Sequence, residues 1–165
     1  MTPRPRVKLE RSSTDTFLEI AGWIGLACLW LITLTSYTYL PEIIPVHFNL
    51  TGQADAHGSK FVLLFLPVIA TLLFIGLTVL NSYPHFFNYP VPITEGNAAR
   101  QYQNATRMIR TLKLVIVFIF SLCVCLIYRA AKTESGNLAY WFLPVVLAVL
   151  LVPMGYYIFR AVKGK

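Results

Sequence analysis

Four blocks of apolar sequence, each long enough to cross a membrane, remove most folds from consideration. They run from Phe17 to Leu40, Phe61 to about Asn81, Thr111 to about Ala130, and Leu138 to about Arg160. A helix rises about 1.5 Å per residue, so about 20 residues reach across a hydrocarbon core some 30 Å thick. In lipid a backbone must satisfy its own hydrogen bonds, and a helix does so within one segment. The expected fold is therefore an all-α membrane protein with four transmembrane helices. Only 13% of residues are charged, about half the share of a soluble domain, which agrees with that class. Residues 1–16 are polar and basic and read as a disordered or surface-lying tail; 17–165 read as a single transmembrane domain, a four-helix bundle.

Local signals refine the spans. Thr14 or Asp15 is placed to cap the first helix, and Pro41 ends it. Glu19, one turn in, is expected to snorkel to the interface. Ala21 and Gly25 form a small-xxx-small pair suited to close helix packing. Pro67 is expected to kink the second span. Tyr140, Trp141, Tyr156 and Tyr157 near the ends of the fourth fit an aromatic belt. Cys28, Cys123 and Cys125 lie inside apolar blocks without a C-x-x-C pattern, and read as small buried hydrophobes.

The net charge of +7 raises the question of nucleic acid. The basic residues instead gather at span ends, as orientation signals do, so no nucleic-acid partner is expected. Arg4, Arg6, Lys8 and Arg11 precede the first span, and Arg100, Arg107, Arg110 and Lys113 lead into the third. Arg160, Lys163 and Lys165 follow the fourth, whereas the other two loops share Lys60, Arg129 and Lys132. Both termini are thus expected on the cytoplasmic side of the cytoplasmic (inner) membrane, with loop 40–60 outside. The first apolar block is too long for a signal-peptide core and is expected to remain as an anchor. The brief AKTESGN connection makes the third and fourth spans an antiparallel pair.

The loop before the third span has internal organisation. Pro84, Pro90 and Pro92 forbid regular helix. After Thr94, a fair N-cap, Ala98, Tyr102, Ala105, Ile109 and Leu112 recur at helical spacing, with Arg100, Gln103, Asn104, Arg107 and Arg110 opposite. This is a basic amphipathic helix that lies on anionic lipid or runs straight into the third span.

The outer loop, LPEIIPVHFNLTGQADAHGSK, concentrates polar groups between two apolar blocks. Pro41 and Pro45 hold the chain extended. Val46, Phe48 and Leu50 alternate with His47 and Asn49, the mark of a short strand with one apolar face. Phe48 is expected to plug the bundle mouth. Thr51 to Asp55 read as a turn in which Gly52 takes positive φ, and Gly58-Ser59-Lys60 restart the helix. The loop is expected to be an ordered cap.

The series Leu40-Pro41-x-x-Ile44-Pro45-x-His47-Phe48-Asn49-x-x-Gly52-x-x-Asp55, with Lys60 after a spacer, resembles the signature of a bacterial integral-membrane domain of unknown function, family 1648. That domain also heads the SdpI-like toxin-immunity proteins. The resemblance covers roughly residues 25–80, and the stretch from Pro84 to Lys113 is similar to short stand-alone members. It implies a non-enzymatic binding, sensing or immunity and signalling protein. By fold-level analogy, an extracytoplasmic peptide or small-molecule ligand would meet Pro41, Pro45, His47, Phe48, Asn49, Gly52, Asp55 and Lys60. A cytoplasmic protein would meet His85, Asn88, Tyr89 and Arg107, and the lipid bilayer surrounds the spans.

Two other functions compete. His47, His57, Asp55 and Glu42 share the outer side, which would permit a metal-dependent enzyme, but no H-E-x-x-H spacing supports one. No catalytic residue, metal or cofactor is therefore expected. A small transporter subunit is the other reading, and no broken inverted repeat favours it.

Overall fold

The computed structural model describes residues 4–49, 51–133 and 141–164. The expectations for Leu50, for the link through 134–137, for Tyr140 and for Lys165 lie outside the described residues.

Helix α1 spans Ser13–Tyr39. Its cap is Ser12, not Thr14 or Asp15: the Ser12 hydroxyl accepts from the Asp15 amide, and the Asp15 carboxylate accepts from the Ser12 amide. That reciprocal pair is a capping box. Leu40, held extended ahead of Pro41, ends the helix.

A β-hairpin follows, which corrects the all-α expectation. Strand β1, Ile43–Phe48, pairs antiparallel with β2, Ala54–Ser59. β1 begins ahead of Val46, and Gly58 and Ser59 belong to β2 rather than to the next helix. The second strand escaped notice because Ala54-Asp55-Ala56-His57-Gly58-Ser59 alternates only small residues with polar ones and carries no large apolar side chain. In a two-stranded ribbon it needs only a backbone ladder. Pro45 is tolerated because each strand is an edge strand.

A 3-10 turn, Lys60–Leu64, leads into α2, Phe65–Leu80. Pro67 falls in the first turn of α2, where a missing amide hydrogen costs least, so it does not interrupt the span. Helix α3, Ala98–Lys132, has 35 residues and is about 52 Å long by rise, well beyond a bilayer core. Its basic N-terminal part continues straight into the span instead of lying on lipid. Its N-cap residue is Asn97, not Thr94; the Asn97 side chain accepts from the Thr94 amide and donates to the Pro92 carbonyl. Helix α4 is Phe142–Lys163. Among the described residues four helices are long and apolar enough to cross a membrane, and the chain is a multi-pass membrane protein.

Helix α3 is the hub against which α1, α2 and α4 all pack, whereas α4 leans chiefly on α3. The core therefore lies among α1, α2 and α3, not at the centre of a symmetric four-helix bundle. Leu26, Leu29, Phe74, Val117 and Val124 fill it, and Leu40, Ile44 and Leu63 close it at the hairpin end. Ile44 is the hairpin residue that enters the core; Phe48 is only half-buried. Close approach uses Gly22 and Gly25: a Cβ on Gly22 would stand 3.0 Å from the Phe74 ring, and one on Gly25 would stand 3.1 Å from Val117. The Trp30 indole donates to the Thr71 hydroxyl across α1 and α2 (3.0 Å). Cys28 and Cys125 face outward rather than into the core, as lipid-facing hydrophobes do.

Residues 4–10 form an extended segment at the end shared by the chain termini. Pro5, Val7 and Leu9 are half-buried, and Arg4, Arg6, Lys8 and Glu10 are exposed. The Arg4 guanidinium donates to the carbonyls of His85 and Phe87, and the Tyr102 hydroxyl donates to the Pro5 carbonyl. The tail is surface-lying and pinned, with an alternation suited to an extended chain.

Candidate functional site

At the hairpin tip, one side chain organises the turn. The Asn49 side-chain oxygen accepts from the Thr51 amide (3.0 Å), the Thr51 hydroxyl (2.7 Å) and the Gln53 amide (2.9 Å). The Asn49 amide donates to the Gln53 carbonyl, and the Gly52 amide donates to the Asn49 carbonyl. Gly52 has φ 81°, a conformation that a Cβ would strain. Asn49→Ala is expected to speed amide exchange at Thr51 and Gln53 by roughly ten-fold while leaving the helices unchanged, read by hydrogen exchange.

At the base, Lys60 ties the hairpin to the bundle. Its ammonium donates to the Leu40 carbonyl (3.3 Å), pairs with Glu42 (3.0 Å) and lies 4.9 Å over the Tyr37 ring. The Lys60 amide donates to the Glu42 carbonyl, which closes the ribbon.

The outward face differs. His47 Nδ1 and Asp55 Oδ1 are 2.5 Å apart, with side chains 69% and 45% exposed. Pro45 is buried beside Ile44, and His57, paired across the ladder with Pro45, is exposed. Among the described residues no three His, Cys, Asp or Glu side chains converge as a metal would require. Of the eight hairpin positions, Asn49, Gly52 and Lys60 are engaged in building the hairpin. Pro41 and Pro45 shape its entry, and Phe48 is half-buried, paired across the ladder with Ala54. His47 and Asp55 bind each other in solvent.

The opposite end holds a polar site that the sequence reading did not assemble. Asp15 and Glu19, one turn apart on α1, face Arg107, Arg110 and Lys113 on α3. Arg107 donates through Nε to Asp15 Oδ1 (2.9 Å) and through its second nitrogen to the Ser12 hydroxyl (3.0 Å) and Asp15 Oδ2 (3.3 Å). Arg110 lies between the acids, 3.5 Å from Asp15 and 3.6 Å from Glu19. Lys113 is wholly buried; it donates to Glu19 (2.6 Å) and the Thr78 hydroxyl (2.9 Å) and sits 4.5 Å over the Phe74 ring. Glu19 therefore does not snorkel: its partner is inside the protein. The missed signal was pairing. Residues 15 and 19 form one helical stripe and 107, 110 and 113 another, of opposite sign. An ionisable residue in a span asks for a named partner. Beside this network a cavity of about 330 Å³ is lined by Lys8, Arg11, Asn81 and Ser82 as well as Asp15, Glu19 and Arg110.

The loop residues nearby have internal roles. The His85 carbonyl receives Arg4. The Tyr89 hydroxyl donates to the Pro84 carbonyl (2.9 Å), and its ring packs 5.5 Å from that of Tyr102. Burial, with a smaller contribution from Tyr102, pushes the Tyr89 phenol well above its usual range. Asn88 is exposed, and Arg107 is committed to Asp15 and Ser12.

Residues 24–71 match the model of a domain of unknown function, DUF1648. That stretch holds the second half of α1, the hairpin and the start of α2, so it frames the His47–Asp55 pair and leaves out the whole ionic network. An uncharacterized protein of Archaeoglobus fulgidus is 31% identical over 145 residues, covering 79% of this chain and 78% of the relative. No solved structure matches.

Proposed function

We propose, from the premise that this chain belongs to the DUF1648 family, that it is a non-enzymatic membrane binding protein whose hairpin receives a peptide or small molecule outside the cytoplasmic membrane. The observation that carries this reading is the exposed His47–Asp55 pair. Exposed ion pairs contribute little to stability, so the fold has little use for it there. It stands on a ribbon fixed below by Ile44 and Lys60, which makes it a preorganised contact. Exposed Tyr39, Ile43 and Phe61 supply apolar surface at the same end.

Orientation follows from the basic residues that the fold leaves at the surface. Arg4, Arg6, Lys8, Arg11 and Lys163 are exposed at the end that holds the termini. That end is cytoplasmic by the positive-inside rule, and the hairpin is outside. The likeness of the hairpin series to SdpI-like proteins extends the reading, by analogy, to immunity or signalling. The pinned tail and loop 81–97 would then present the inner surface to a cytoplasmic protein.

The test compares gently purified wild type with His47→Ala and Asp55→Ala by native mass spectrometry with elemental analysis. The expected result is a bound peptide or small molecule in wild type, lost from both variants, whose stability stays within about 1 kcal/mol of wild type. A stoichiometric zinc ion lost with His47 would instead make the hairpin a metal site. No bound species, with both variants strongly destabilised, would make it a structural lid.

A further inference from the structure

The cavity of about 330 Å³ beside the ionic network is lined by three cations, Lys8, Arg11 and Arg110, and three acids, Glu10, Asp15 and Glu19. Two of the acids are already taken. Asp15 accepts from Arg107 and the Ser12 hydroxyl, and Glu19 accepts from Lys113. With Arg107 and Lys113 counted, five cations stand against three acids, a surplus of two positive charges. Lys8 and Arg11 are exposed and form no ion pair with any described residue. Arg110 is buried, yet its contacts to Asp15 (3.5 Å) and Glu19 (3.6 Å) are longer than a charge-assisted hydrogen bond of about 2.8 Å. Its Nη2 has no hydrogen-bond partner among the described residues and, unlike Nε, is not enclosed, so an occupant of the cavity can reach it.

The cavity sits where α1 begins, at Arg11 and Asp15, and where α2 ends, at Asn81 and Ser82. Span ends lie at the depth of the lipid headgroups. A cation placed there would meet acids that already have partners, and three cations beside them. An anion rich in acceptor oxygens fits the surplus, because guanidinium and ammonium groups only donate. A carboxylate brings one charge and two oxygens in one plane. A phosphomonoester brings about −1.5 to −2 charge at pH 7 and three acceptor oxygens, which matches a surplus of two. The cavity volume suits such a head with part of what carries it. We propose that this cavity binds a phosphomonoester group, of a lipid or of a small soluble compound, held by Lys8, Arg11 and Arg110.

Two probes are offered to delipidated full-length protein in detergent and read by native mass spectrometry and thermal shift. One is dioleoylphosphatidic acid, with dioleoylphosphatidylcholine as the control of equal chains and no net charge. The other is inorganic phosphate, with chloride at equal ionic strength as its control. For a lipid source, one equivalent of the phosphatidic acid binds about ten-fold or more tightly than the phosphatidylcholine. For a soluble source, the two lipids bind alike and phosphate raises Tm where chloride does not. In either case Lys8→Gln with Arg11→Gln is expected to weaken the binding about ten-fold. Both side chains are exposed, so the Tm of the unliganded variant is expected to stay at that of wild type. Arg160→Gln with Lys163→Gln makes the same change of charge at the same end, outside the cavity, and is expected to leave the binding unchanged. Equal losses in the two double variants overturn the proposal and make the attraction a property of the basic surface. Binding that survives Lys8→Gln with Arg11→Gln overturns it, and so does a result in which neither probe exceeds its control.

Discussion

Lys113→Met is expected to lower the stability of the helical core by about 3–5 kcal/mol, the usual cost of breaking a buried ion pair by removing one partner. Lys113 has no exposed surface, and its ammonium is fully used by Glu19, Thr78 and the face of Phe74. Met fills similar volume, so the loss reports the charge left behind and not a cavity. Glu19 would keep only Arg110, at 3.6 Å. The double variant Glu19→Gln with Lys113→Met has no orphaned charge and is expected to return to within about 1–2 kcal/mol of wild type. Denaturant unfolding in mixed micelles measures both. Trp23, whose ring stacks edge-on against Phe74 (centroids 4.8 Å apart), reports the region by fluorescence. A single variant as stable as wild type would sink this account, and so would a double variant no better than the single.

Asp15→Ala is expected to cost about 2–4 kcal/mol by two separable routes. It removes half of the capping box at the start of α1, worth about 1 kcal/mol. It also leaves Arg107 and Arg110 facing each other without their shared carboxylate. Asp15→Asn separates the two, because the amide retains an oxygen for the Ser12 backbone but carries no charge. The expected order of stability is wild type, then Asn, then Ala, and the step from wild type to Asn is the larger. Equal losses for Asn and Ala, each near 1 kcal/mol, would reduce Asp15 to a cap. Added salt discriminates little, since the pair is shielded from solvent.

The candidate hairpin site was half legible beforehand. The turn at Gly52, the tie at Lys60 and the solvent position of His47 follow from residue type: glycine for positive φ, a cation near helix ends, a polar residue alternating with apolar ones. What failed was the length of the ribbon. Ala54 to Ser59 is polar and small, and its strand state is imposed by the ladder to β1. Which residue enters the core also escaped, because Ile44 and Phe48 are both apolar and on compatible registers. The bulge between Pro45 and Phe48 settles the choice.

Apolar length alone determined that the four long helices among the described residues can each cross a membrane, because a helix satisfies its own backbone hydrogen bonds in lipid. Proline and glycine placed the breaks. Tertiary structure decided the rest: that α3 is the hub, that α4 stands to one side, and that Glu19 meets Lys113. Those outcomes depend on which faces touch. Within the hydrocarbon most faces of a helix are apolar, so periodicity, which tells inside from outside in water, carries little there. The decisive contacts were made by small and polar residues, such as Gly22 beneath Phe74 and Asp15 between two arginines, whose partners lie far along the chain.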